Sequence, residues 1–142
     1  MLEKLLLAYD GSEPSKKALE FTKELAKRLN AKVTVLYVID IEKATELLGD
    51  MAVDALQVLE EKAKRTVQEA VEELKKEGVE AEPLIEKGGP PEKIAEVAEK
   101  GGYGMIIMGS HGYKGLKRLL LGSVSEKVLK IAKVPVTIVK YK

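Results

Sequence analysis

The chain has 142 residues, no cysteine, and 24 basic against 23 acidic side chains, for a formal charge of +1. That length suits one domain with a proper core. The composition excludes disulfides, thiolate metal sites and cysteine nucleophiles, and the balanced charge lacks the basic footprint of a nucleic-acid binder.

The opening MLEKLLLAYDG has an apolar run too short for a secretion signal. No stretch approaches the roughly 20 apolar residues of a membrane span. A cytoplasmic protein, made of one domain over residues 1–142, is expected. Within that opening, KLLLAY (4–9) reads as a strand buried on both faces and ends at Asp10-Gly11-Ser12. Pro14 falls in the first turn of a helix, where its missing N–H is harmless. Ala18, Leu19, Phe21, Leu25, Ala26 and Leu29 follow at helical spacing up to a stop at Asn30.

KVTVLYVID (32–40) is rich in β-branched residues and predicts a second strand. Residues 41–50 carry no decisive pattern. A long helix follows, with Leu56, Leu59, Ala63, Val67, Ala70, Val71 and Leu74 on one stripe and Gly78 at its end. EAEPLIEKG (80–88) predicts the third strand, and Pro83, which cannot donate to a ladder, sends it to the sheet edge. Pro90 and Pro91 open a short helix with Ile94, Ala95, Val97 and Ala98 inward, closed by Gly101-Gly102. GMIIMG (104–109) is an apolar, central strand; 123–132 form the last helix, and VPVTIVKY (134–141) the last strand.

Strands alternating with helices imply a parallel sheet covered on both faces. With right-handed crossovers the expected arrangement is an α/β, doubly wound, five-stranded parallel sheet of order 3-2-1-4-5. Strands one and four are then neighbours, the winding reverses between them, and a ligand binds beyond their carboxyl ends. The segments at that point are Asp10-Gly11-Ser12 and IIMGSHGYKGLKRLLLGSVSEKV (106–128), which holds glycines at 109, 112, 115 and 122.

Phosphate binding asks for several N–H groups converging on one spot, and a helix N-terminus supplies them together with a favourable dipole. Glycine lets the backbone approach the ligand. Gly109 and Gly112 suit a close loop at the strand end; Gly122, Ser123, Val124 and Ser125 suit the start of the last helix, with serine hydroxyls as added donors. The dipole is worth roughly 0.3–1 kcal/mol, so aligned N–H bonds, each about 1.5–3 kcal/mol to a charged group, carry the rest. A purely architectural account stands beside this: Ser123 and Glu126 spell a capping box, and Gly109 and Gly122 are turn residues. Neither the P-loop nor the G-x-G-x-x-G fingerprint is present.

The spacing Gly109-x2-Gly112-x9-Gly122-Ser123 resembles the signature of ATP-binding universal stress proteins, and LLLAYDGSEPS, YVID and VPVTIVK resemble that family's flanking segments, so the likeness runs over essentially the whole chain. It implies a Rossmann-like fold of the adenine nucleotide alpha hydrolase-like kind and a role in stress response. It implies that Ala8, Tyr9 and Asp10 line the adenosine site, with Asp10 near ribose and phosphate, and that Val38 meets adenine through its backbone. Met108, Gly109 and Gly112 would hold ribose and phosphates, and Gly122, Ser123, Val124 and Ser125 the outer phosphates. ATP would bring Mg²⁺ or Mn²⁺, and Asp10, a poor direct partner for phosphate, gains a role through a ribose hydroxyl or a bridging cation. Asp10 as a cap or turn former is the alternative.

His111, the single histidine, is expected to face solvent rather than act as a base. Lys114, Lys117 and Arg118 make the glycine loop basic, either to attract phosphate or to keep the loop soluble. The expected function is an ATP-dependent switch or stress-response module. A slow metal-dependent ATPase is the alternative, disfavoured because no assured general base, arginine finger or P-loop lysine is present. A receiver domain is disfavoured because strand three ends in Glu86-Lys87-Gly88. The apolar edge of the last strand, with the resemblance, predicts a homodimer paired through it.

Overall fold

The computed structural model describes residues 2–49, 52–110 and 122–141. Gly112 and Gly115, together with His111, Lys114, Lys117 and Arg118, lie outside the described residues. The elements run β1 (Lys4–Ala8), α1 (Glu13–Leu29), β2 (Lys32–Ile39), α2 (Ile41–Leu48), α3 (Ala52–Lys76), β3 (Ala81–Lys87), α4 (Pro90–Lys100), β4 (Met105–Gly109), α5 (Ser123–Ile131) and β5 (Val136–Val139). The strands form one parallel sheet in the order β3-β2-β1-β4-β5, the doubly wound arrangement expected from the alternation of strands and helices.

The continuous apolar runs read as doubly buried strands behave as such. Leu5 and Leu7 face one core with Val33, Val35 and Ile107, closed by Ala18 and Leu19 of α1 and by Val67, Val71 and Leu74 of α3. Leu6 faces the other core with Leu36, Ile106 and Met108, closed by Ile94 and Ala98 of α4 and Val128 of α5. Period-two alternation along three central strands thus feeds both faces, and each fully buried leucine is worth about 1.5–3 kcal/mol of transfer energy. Pro83 sits on β3 at the edge, paired with Val35, where its missing donor leaves no ladder bond unmade on a far side.

Boundaries follow local chemistry. Ser12 caps α1, its hydroxyl accepting from the Ser15 amide at 3.4 Å, and Asn30 ends the helix in the left-handed region at φ 54°. The second strand is one residue shorter than expected. Asp40 leaves it to cap α2, its Oδ1 accepting from the Lys43 amide at 3.0 Å, and the undecided stretch after it is helical from 41 to 48. Lys23 of α1 bridges Glu20 and Glu73, each at 2.8 Å, and so ties α1 to α3 over the first core. Among the described residues no helix is long and apolar enough to cross a membrane.

Candidate functional site

In a parallel sheet every crossover helix starts where a strand ends, so the carboxyl edge gathers strand ends and helix N-termini. Here they surround an open cavity of about 540 Å³, well within the range of small-molecule sites. Ala8, Tyr9 and Asp10 reach it from the end of β1, Val38 from β2, Met108 and Gly109 from β4, and Gly122, Ser123, Val124 and Ser125 from the start of α5. Ten of the eleven residues singled out in the sequence therefore share one cavity. The eleventh, Gly112, lies outside the described residues.

The wall also includes residues the sequence did not single out. Leu36, Pro90 and Ile94 make an apolar side next to Ala8 and Val38, suited to a flat base. Asp40, Lys43, Ala44 and Leu59 enclose the end near α2. The signal for Pro90 and Ile94 lay in the topology: β2 neighbours β3, so the helix following β3 opens beside Val38.

Four helices start at this rim, and they are not equivalent as anion receivers. An α-helix leaves its first N–H groups without internal acceptors. In α1 the second residue is Pro14, and the Ser15 amide is already taken by the Ser12 hydroxyl. In α4 the first two residues are Pro90 and Pro91, which have no N–H. At α2 the carboxylate of Asp40 occupies the terminus. Only α5, among the described residues, starts with three N–H-bearing residues, Ser123, Val124 and Ser125, behind a cap without a side chain. Gly122 has φ −86° and ψ 175°, a conformation open to any residue, so its glycine is not required by backbone strain.

The serine that starts α5 does not act as the expected capping box. Gly122 takes the cap position and Ser123 is the first helical residue, with the Glu126 amide bonded to the Gly122 carbonyl at 2.9 Å. Ser123 is exposed and lines the cavity. The Ser125 hydroxyl is differently placed. It is buried and donates to the Ser110 carbonyl at 2.7 Å while accepting from the Gly122 amide at 3.0 Å.

Asp10 is exposed at the cavity wall, and its Oδ1 accepts from the Ser12 amide at 2.9 Å, shaping the D-G-S turn through Gly11 at φ 83°. The cap of α1 is Ser12, so Asp10 keeps its second carboxylate oxygen for other work. Tyr9 and Tyr37 also border the cavity. Burial pushes the Tyr9 hydroxyl pKa up, and the carboxylates of Glu73, Glu69, Asp10 and Glu13 add to it. Burial raises Tyr37 too, with Asp10 contributing. Both phenols thus stay neutral donors. Among the described residues no group of three acidic or imidazole ligands is preformed for a metal.

Comparison with known proteins agrees with this fold. The model of the universal stress protein family matches residues 1–140. Universal stress protein MJ0531 of Methanocaldococcus jannaschii is 35% identical over 144 residues, covering 99% of this chain and 83% of that protein. The solved structure of MJ0577, from the same organism, superposes with a TM-score of 0.89 at 36% identity, covering 100% of this chain and 98% of that one. Two further structures share the fold at 22% identity. One is a universal stress protein in complex with cAMP, with a TM-score of 0.74 over 99% of this chain and 98% of that one. The other is an Arabidopsis thaliana family protein with AMP bound, with a TM-score of 0.72 over 96% of this chain and 90% of that one.

Proposed function

Because the chain belongs to the universal stress protein family, we propose that its cavity binds ATP and that the protein acts as a nucleotide-dependent module in stress response. The observation that carries this reading is the receptive N-terminus of α5, unlike those of α1, α2 and α4 among the described residues, facing an apolar slot across the ends of β1 and β4. Adenine lies against Val38, Ala8 and Ile94. Ribose lies over Asp10 and Gly109, and the phosphates lie on the N–H groups of Ser123 to Ser125. That two proteins of this fold were solved with AMP and with cAMP is in keeping with an adenine nucleotide. The choice of ATP rests on the resemblance of this chain's glycine and serine spacing to the signature of ATP-binding universal stress proteins.

The side chains on the described wall include two carboxylates, Asp10 and Asp40, and one cation, Lys43. A triphosphate there needs a counter-charge. Mg²⁺ is held by one or two carboxylates together with substrate phosphates rather than by an all-protein cage, and Asp10 with its second oxygen fits that pattern. Mg²⁺ or Mn²⁺ therefore arrives with the nucleotide. The module is a homodimer paired through β5, whose outer edge has no partner strand among the described residues.

Titration calorimetry with ATP and magnesium, combined with a thermal shift, tests the reading. Saturable heat and a rise in melting temperature are expected, with nucleotide recovered as ATP after denaturation. No heat and no protection overturn it, and steady release of ADP moves it to a hydrolase.

A further inference from the structure

The sequence offers Ser125 as a phosphate donor, and its position argues for another task. Its hydroxyl has one proton and two carbonyls in reach, Ser110 at 2.7 Å and Gly122 at 3.2 Å, and the shorter distance favours Ser110. The same Ser110 carbonyl accepts the Gly122 amide at 2.6 Å, and that amide also points at the Ser125 oxygen at 3.0 Å. The three groups close a triangle in which the donor of Ser125, the donor of Gly122 and both lone pairs of the Ser110 carbonyl are used.

Ser110 and Ser125 are 4% and 2% exposed, so water does not compete for these bonds. The triangle is also anchored. The Ser110 amide donates to the Val139 carbonyl at 3.1 Å, continuing the β4–β5 ladder, and the Ser110 hydroxyl accepts from the Tyr141 amide at 3.3 Å. The first turn of α5 is thereby fixed to the sheet itself.

From this we infer that Ser125 is a positioning residue: its hydroxyl clasps Gly122 to Ser110 before any ligand arrives, and so aims the N–H groups of Ser123, Val124 and Ser125 at the phosphates. The inference rests on the nucleotide reading of the cavity. Recruiting the hydroxyl directly to a phosphate would break the triangle and leave the Ser110 carbonyl with the Gly122 amide as its one partner in it, an exchange that gains little. Preorganised donors, in contrast, require no rearrangement on binding.

Two measurements test it. The first is amide hydrogen exchange at Gly122 in the nucleotide-free protein. The clasp requires slow exchange in the wild type, at least about tenfold faster exchange in Ser125→Ala, and no change in Ser123→Ala. Exchange at the solvent rate in the nucleotide-free wild type overturns it, and this arm needs no variant to fold. The second compares ATP with adenosine, which lacks phosphates. Ser125→Ala is expected to weaken ATP by about tenfold and leave adenosine unchanged, because only the phosphate-facing amides lose their aim. Equal weakening of both ligands, or of neither, overturns the clasp while wild-type affinity for ATP stands. Absence of ATP affinity in the wild type removes the nucleotide reading itself.

Discussion

A β-carbon placed on Gly109 would stand 2.6 Å from the carbonyl oxygen of Pro14. The end of β4 and the first turn of α1 are thus in backbone contact, and the glycine is needed there whether or not a ligand binds. Gly109→Ala forces one of two rigid segments to move, and overpacking of this kind costs about 1–3 kcal/mol. Urea unfolding is expected to show that loss. Stability equal to the wild type would mean the two segments are not in contact.

Gly122 differs from Gly109 in having an ordinary extended conformation. A branched side chain there meets no backbone strain and adds bulk at a residue that lines the cavity beside the helix start. Gly122→Val is expected to abolish the calorimetric ATP signal while circular dichroism shows the fold retained. Unchanged affinity would place the phosphates elsewhere.

Asp10→Asn keeps an acceptor for the Ser12 amide and so preserves the turn. Stability is expected to hold within about 0.5 kcal/mol, as for a surface change. Affinity for ATP with magnesium is expected to fall by about tenfold, whereas metal-free ATP, relieved of a like charge, binds no worse. A fall of equal size with and without metal would assign Asp10 to ribose alone.

Tyr9 and Tyr37 hold their protons more tightly folded than unfolded. The stability they confer is complete below the unfolded tyrosine pKa of about 10 and is lost as pH climbs from there towards the folded value. Melting temperature is expected to decline on that alkaline limb, less steeply in Tyr9→Phe. An unchanged slope in the variant would show that the phenol does not contribute.

The ladder fixes which groups of β5 face outward. The carbonyls of Pro135 and Val139 accept from Ile106 and Ser110, so the alternate residues Val136 and Ile138 turn their backbone groups to the free edge. Ile138→Pro removes an outward donor and leaves the bonds to β4 in place. Light scattering at micromolar concentration is expected to give a dimer for the wild type and a monomer for this variant. A monomeric wild type would refute pairing through this strand.

Much of this was legible in the sequence because the signals were local. Doubly apolar runs marked the central strands, Pro83 marked an edge, and Asn30 and Gly78 marked helix ends. The same locality explains the misses. Asp40 was counted with the strand it follows, although its carboxylate belongs to the next helix. Ser123 and Glu126 spelled a capping box, but α5 begins one residue earlier in cap terms, and Ser125 reaches back instead. Leu59, Lys43 and Ile94 come from three different helices, and only the folded topology brings them to one wall.

The inequality of the helix starts gives the site a direction. Imino acids at the head of α1 and α4, and a carboxylate at the head of α2, leave α5 as the receptive one of these four helix starts among the described residues. A nucleotide bound as proposed therefore has a single heading across the sheet. Reversed end for end, it would press its charged tail on the α2 carboxylate and two pyrrolidine rings.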